Sequence, residues 1–262
     1  MSYLQTLRET TPLIHNLTNE VVINFTANGL YAIGAVPVMS KSLDEVSDMA
    51  SIASGVLLNI GTVTSTDIEA MLLAGKAANE KGIPVVLDPV GAGATPFRLK
   101  TCHRLLDELE ITAIRGNASE IAALLGEDQW QSRGVDSTGD GNVVKLAQQA
   151  AASLTCLIVL TGETDVIATK DETVVCQNGI PLLGSITGTG CLFSSLLTAF
   201  LSLEGPSVEK ATEAISVYTI ASEMAAEHAN VQGPGTLHPY FLDALYNIRP
   251  EDVRKRQKVE AR

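Results

Sequence analysis

Short runs of branched aliphatic residues alternate along this chain with longer segments whose apolar positions recur at helical spacing. PVMS (37–40), GVLLNIG (55–61), IPVVLDPV (83–90), ITAIRGN (111–117) and CLIVLTG (156–162) are the short runs. They are apolar throughout, as strands covered on both faces should be. Between them LDEVSDMASIA, TDIEAMLLAGKAANEKG, FRLKTCHRLLDELE and NVVKLAQQAAASL read as helices. The second closes on Lys76, Lys81 and Gly82, the basic last turn and glycine that end a helix. The alternation predicts an α/β fold in three layers, a mostly parallel central sheet with helices on both faces. After Thr161 the pattern changes. DVIATK and ETVVCQNGI, separated only by Asp171, predict a hairpin and hence an antiparallel edge. The last third reads as helices over 190–203, 207–229 and 236–248. GEDQWQSRGVDSTGDG (126–141) reads as a polar loop rather than a boundary, and the charged tail EDVRKRQKVEAR as frayed. The chain is therefore expected to form one domain, 1–262.

The segment after Cys191 is apolar on most sides. Leu192, Leu196, Ala199, Phe200 and Leu203 form one stripe, and Phe193, Leu197 and Leu201 a second, so this helix should be buried. Its N-terminus follows a glycine loop, Gly188-Thr189-Gly190, whose free backbone N–H groups make an anion site.

Charge narrows what that anion can be. With 18 basic and 30 acidic residues the net charge is −12, which disfavours nucleic acid and anionic membrane as partners. A phosphate would have to be held by a local site. The four cysteines are widely spaced without a CxxC pair, against structural zinc and against a disulfide framework. The N-terminus lacks the basic start and apolar core of a signal peptide, and no run of about 18 apolar residues occurs, so a cytoplasmic location is expected.

In an open parallel sheet, ligands collect beyond the carboxyl ends of the strands. Those ends carry Asp88 before Pro89-Val90-Gly91, Arg115 before Gly116-Asn117, and Thr161-Gly162. Each has two readings. Asp88 either shapes a turn or serves a site. Asn117 to Glu120 has the spacing of a capping box. Arg115, beside a glycine loop, is a natural phosphate contact.

Taken together these pieces resemble the ribokinase-like superfamily, whose members carry an NxxE motif and a glycine-rich loop at a helix N-terminus. The similarity is greatest to the hydroxyethylthiazole kinases, through HNLTNEVVINFTANGLYAIGAVPVMS (15–40), DPVGAGAT (88–95), RGNASEI (115–121), VLTGETD (159–165) and TGTGC (187–191). The resemblance implies a ribokinase-like fold and ATP-dependent phosphorylation of 4-methyl-5-(2-hydroxyethyl)thiazole, with Mg²⁺, in thiamine salvage. It implies that Arg115 and Thr161 contact ATP, and that Met39, Gly188 and Asn19 line the thiazole site. Asp88 and Glu120 would serve Mg²⁺ or its waters. It also implies a homotrimer with active sites at subunit boundaries. Most kinases of this fold have aspartate where Cys191 stands. The thiol is either a weak base, ionised by the helix N-terminus, or a shaped contact. His15 is expected to be a solvated turn residue, and the motif around it to precede the first core strand. Two other classes share the scaffold: dehydratases that repair hydrated nicotinamide cofactors, and non-catalytic nucleotide-binding proteins.

Overall fold

The computed structural model describes residues 2–127 and 140–262, so the loop expected at 126–141 lies almost wholly outside the described residues. The strands are β1 (Leu13–Leu17), β2 (Val36–Val38), β3 (Gly55–Asn59), β4 (Val85–Asp88), β5 (Ala113–Gly116), β6 (Leu157–Leu160), β7 (Asp165–Ala168), β8 (Thr173–Cys176) and β9 (Val259–Ala261). The helices preceding the hairpin are α1 (Tyr3–Thr10), α2 (Ile23–Ile33), α3 (Val46–Ile52), α4 (Ser65–Lys81), α5 (Pro96–Glu108), α6 (Ala118–Leu124) and α7 (Asp140–Leu154). Those following it are α8 (Thr189–Leu201), α9 (Ser207–Ala226), α10 (Pro234–Asn247) and α11 (Pro250–Arg256).

The strands form one sheet in the order β2-β1-β3-β4-β5-β6-β7-β8-β9. Pairs from β2 through β6 are parallel, and those from β6 to β9 antiparallel. The mostly parallel sheet and its antiparallel edge are as the pattern predicts. Successive strand residues divide between two cores. Leu57, Val86 and Ala113 face α1, α2, α8, α9 and α10, whereas Val56, Leu58, Leu87 and Ile114 face α3 to α7. Two-sided burial is why these strands read as unbroken apolar runs.

Three expectations are corrected. The region around His15 does not precede the first core strand: β1 runs through it, between β2 and β3, and His15 is fully buried. Its polar composition hid it, since His15 and Asn16 break an aliphatic run. The run at 37–40 becomes β2 at Val36–Val38, a half-exposed edge rather than an inner strand. The tail is not frayed. It forms α11 and then β9, whose exposed residues pair antiparallel with β8.

Helix α8 sits at the centre of one layer, with every residue from Leu192 to Leu201 buried. It packs on the sheet and on α2 and α9. Gly29 of α2 makes that possible, because a Cβ there would lie 2.3 Å from Leu192 Cδ1. Gly29→Ala should therefore push Leu192 aside and cost about 1–3 kcal/mol, as overpacking does. Urea unfolding measures the loss, and a variant as stable as the parent would show that α2 and α8 can part without penalty.

Candidate active site

The carboxyl ends of β1, β3, β4, β5 and β6 converge on the N-terminus of α8. The sheet register sets the first contact: Asn59, last in β3, stands directly across from Asp88, last in β4. Asp88 is fully buried. Its Oδ2 accepts from Asn59 Nδ2 at 2.6 Å and from Ser194 Oγ at 2.8 Å. Oδ1 has no hydrogen-bond partner and lies 3.9 Å from Arg115 Nη1. Burial pushes the Asp88 carboxyl up to about 6. Arg115, Ser194 and Asn59 pull it down, and the charge of Glu120 pushes it further up.

Arg115 reaches outward from β5 with Nη2 donating to Thr161 Oγ1 at the end of β6. Its guanidinium lies 6.0 Å over the Phe193 ring and rests against Gly190, where a Cβ would come within 2.5 Å of Nη1. Gly190 is thus required by a close approach. Gly188, the N-cap of α8, has φ 86° and no room beside Val22, 2.3 Å from where its Cβ would be. With no side chain capping it, the α8 N-terminus is free toward a ligand. Tyr218 Oη, donating to the Thr189 carbonyl at 2.6 Å, holds the first turn from behind.

Arg115, Thr161, Thr189 and Gly190 open on a cavity of about 1000 Å³, lined also by Ile180 and Ile215. Asp165 shapes its near wall. Its Oδ1 accepts from the Gly162 N–H at 3.0 Å, and burial pushes the carboxyl up to about 7.

On the other side of Asp88 the contacts continue to Cys191. Asn19, just past β1, donates through Nδ2 to Asn59 Oδ1 at 3.0 Å and to Cys191 Sγ at 3.3 Å. Burial pushes the Cys191 thiol up to about 11 and the charge of Asp88 adds to that, against the pull of Asn59, Asn19 and Arg115. Desolvation thus opposes the helix N-terminus, and a protonated thiol fits this pocket better than a thiolate.

Glu120 completes the capping box: Oε2 accepts from Asn117 N and Oε1 from Gly91 N, both at 2.9 Å. Its carboxylate therefore ties the β4 end to the start of α6. Met39 lies half-buried just past β2, two strands from Asn59, and His15 Nε2 meets the Ser40 carbonyl beside it at 2.7 Å. Far from being solvated, His15 has its pKa lowered by burial. The structure thus joins Asp88, Arg115 and Thr161 in one contact chain and Asn19 and Cys191 in another. Sequence reading missed Asn59, which links the two, and Ser194, which bonds Asp88 from α8. A polar residue closing an aliphatic strand and a serine inside an apolar helix were the available signals.

A model of the hydroxyethylthiazole kinase family matches residues 4–251. The chain belongs to that family. A solved hydroxyethylthiazole kinase protein from Pyrococcus horikoshii is 38% identical, covers 99% of this chain and 97% of its own, and superposes with a TM-score of 0.89. A ribokinase-like superfamily protein from Enterococcus faecalis is 14% identical over 93% of this chain and 88% of its own, at a TM-score of 0.63. An ADP/ATP-dependent NAD(P)H-hydrate dehydratase from Bacillus subtilis is 15% identical over 90% of each chain, at 0.57. The last two share the ribokinase-like fold alone.

Asp88 titrates in a direction that membership of this family alone does not reveal. Its folded value lies above the ordinary 3.8, so the folded protein holds the extra proton between roughly pH 4 and 6. Stability then falls as pH rises through that window. Asp88→Asn should be the more stable protein at pH 8, by at most about 3 kcal/mol, and should lose that advantage near pH 4. Urea unfolding in metal-free buffer at the two pH values measures it. A variant weaker than the parent at pH 8 would mean that attraction to Arg115 outweighs the cost of burial.

Proposed function

We propose that this protein transfers the γ-phosphoryl group of ATP to the primary alcohol of 4-methyl-5-(2-hydroxyethyl)thiazole, as a step of thiamine salvage. One observation carries the reading: in a chain of this family, the uncapped N-terminus of α8 opens on the cavity that Arg115 and Thr161 line. Phosphoryl transfer passes through a loose transition state and asks mainly for positioning and for positive field at the phosphate oxygens. The α8 N–H groups and the Arg115 guanidinium supply that field without reorganising. Thr161 and Phe193 hold the guanidinium in place.

Among the described residues no group of three acidic, histidine or cysteine side chains could hold a metal alone. The acids present fit Mg²⁺ nonetheless, since that ion keeps waters and phosphate oxygens and needs only one or two carboxylates. Asp88 offers a buried oxygen, Oδ1, with no other partner. Glu120 has both oxygens engaged by backbone N–H groups and retains lone pairs for waters. When bound, the ion would neutralise charge on the transferred phosphate. The chain's own part is to hold those two carboxylates rigid.

The acceptor would lie between Asn19, Gly188, Cys191 and Met39. A protonated Cys191 serves there as a contact to the hydroxyethyl arm, and the alcohol proton passes late to an oxygen of the transferred phosphoryl group. The exposed apolar residues Val21, Ile23, Tyr31 and Val36 follow Asn19 or flank the β2 edge beside Met39. A second subunit covering that edge would close the thiazole site, which supports a homotrimer with shared sites. No described helix is long and apolar enough to cross a membrane. We assign the reaction to the cytoplasm, where ATP is supplied.

ADP formation should appear with the thiazole alcohol and not with hydroxymethylpyrimidine or hydrated NADH. Activity on hydrated NADH alone would favour the dehydratase reading. An aspartate at position 191 would be a stronger acid than the thiol and more readily ionised to take the alcohol proton, so Cys191→Asp should retain or raise kcat while weakening nucleotide binding. Cys191→Ser, as un-ionised as the thiol, should stay within about fivefold of the parent, the loss of roughly one hydrogen-bond contact. An inactive aspartate variant would exclude proton acceptance as the limiting need. Sedimentation at micromolar protein should show the trimer, and a fully active monomer would remove the shared site.

A further inference from the structure

We propose that Asn59 is a positioning residue for the phosphoryl transfer, acting both beside Asn19 and through it to fix the direction in which the Cys191 thiol can hydrogen-bond. The inference rests on the kinase reading above.

An amide side chain presents a donor at one end and an acceptor at the other, and a flip exchanges them. At Asn59 two fixed groups forbid the flip. Asp88 Oδ2 accepts from Asn59 Nδ2 at 2.6 Å, so the nitrogen must face β4. The Gly61 backbone N–H donates to Asn59 Oδ1 at 3.0 Å, so the oxygen must face the other way. Asn59 is 1% exposed, and water cannot substitute for either partner. Asn59 Oδ1 is then also the acceptor for Asn19, whose Nδ2 stands 3.0 Å away. That orients the second amide, because only its nitrogen can face Asn59. The same nitrogen lies 3.3 Å from Cys191 Sγ. The sulfur is obliged to accept there, and the thiol hydrogen must point elsewhere, away from Asn19. Gly61 is packed so closely against Asn19 that a Cβ would sit 2.8 Å from Nδ2, so the second amide cannot swing aside. A polarity set at Asp88 is thus carried across two amides to the residue at the mouth of α8.

Residues in one hydrogen-bond chain couple, and a double-mutant cycle measures the coupling. The cycle is Asn59→Leu with Cys191→Ala, read as kcat for the thiazole alcohol at saturating ATP. In the parent, Asn59→Leu should lower kcat by about fivefold, the worth of roughly one hydrogen-bond contact. With Cys191 already alanine there is no sulfur to direct, and the further loss should be less than about twofold. KM for ATP should stay within about twofold in both, since Asn59 lies on the far side of Asp88 from the cavity. If Asn59→Leu does not fold by its melting curve, Asn59→Ala runs the same cycle. With the variant Asn59→Ala in its place, the acceptor for Gly61 and Asn19 is lost as well as the donor to Asp88, and any effect on Asp88 itself is common to both backgrounds. Equal loss in the two backgrounds, or no loss in either, overturns the assignment while leaving the kinase reading intact. A parent that forms no ADP with the thiazole alcohol overturns both.

Discussion

A carboxylate kept without water at the end of β4 is the constraint on which the rest of this site depends. Asp88 stands where the sheet, α8 and the β5 loop meet, and burial alone would neutralise it. Ser194, Asn59 and Arg115 oppose that, each from a different element. The consequences are structural before they are chemical. Ser194 is a buried polar residue in a mostly apolar helix, and its bond to Asp88 ties α8 to the sheet. Ser195, its neighbour, bonds Asn16 of β1 in the same way. Two hydroxyls therefore set where the α8 N-terminus points, and the aliphatic core around them supplies most of the adhesion. The remaining oxygen of Asp88 is left without a hydrogen-bond partner, 3.9 Å from Arg115 Nη1.

Two helix starts at this end of the sheet are treated in opposite ways. At α6 every rule of capping is obeyed: Asn117 accepts from the Glu120 N–H, Glu120 accepts from Asn117 N, and the spare oxygen takes Gly91 N. At α8 the cap position is glycine and nothing closes the turn. An unclosed helix start costs stability unless a ligand satisfies it. The contrast separates scaffold from binding surface. It also bears on Glu120, whose capping and ion-serving readings are not exclusive. A glutamine there could accept only one of the two backbone N–H groups, so substitution would loosen the β4 end whatever the role toward Mg²⁺.

Much of this was legible because the physics is local. Buried parallel strands must be aliphatic on both faces, so β3 to β6 announced themselves, and their carboxyl ends named Asp88, Arg115 and Thr161. The apolar stripes of α8 and the glycines before it marked a buried helix whose N-terminus no side chain caps. What stayed hidden depends on long-range pairing. β1 contains His15 and Asn16 and does not read as a core strand until β2 and β3 flank it. β9 is charged and exposed, and only pairing with β8 makes it a strand. Asn59 is one polar letter closing an aliphatic run, and its importance lies in the register that sets it across from Asp88. Such a partner is 29 positions away in sequence and carries no local signal.

The cysteine at 191 is best understood from the charge already present. The mouth of α8 offers a positive field from its N–H groups and from Arg115, while Asp88, with one oxygen unpaired, is a negative neighbour. A carboxylate at 191 would be a second buried anion in the same field. It would compete with phosphate for the same N–H groups, and like charges at close range raise one another's pKa. A thiol pushed up to about 11 stays neutral and leaves the N–H groups to the nucleotide. Because the transition state is loose, little is lost by forgoing a strong base. On this argument the residue at the helix mouth is set by how much negative charge the site can hold at once, with Asp88 filling that capacity before the phosphate arrives.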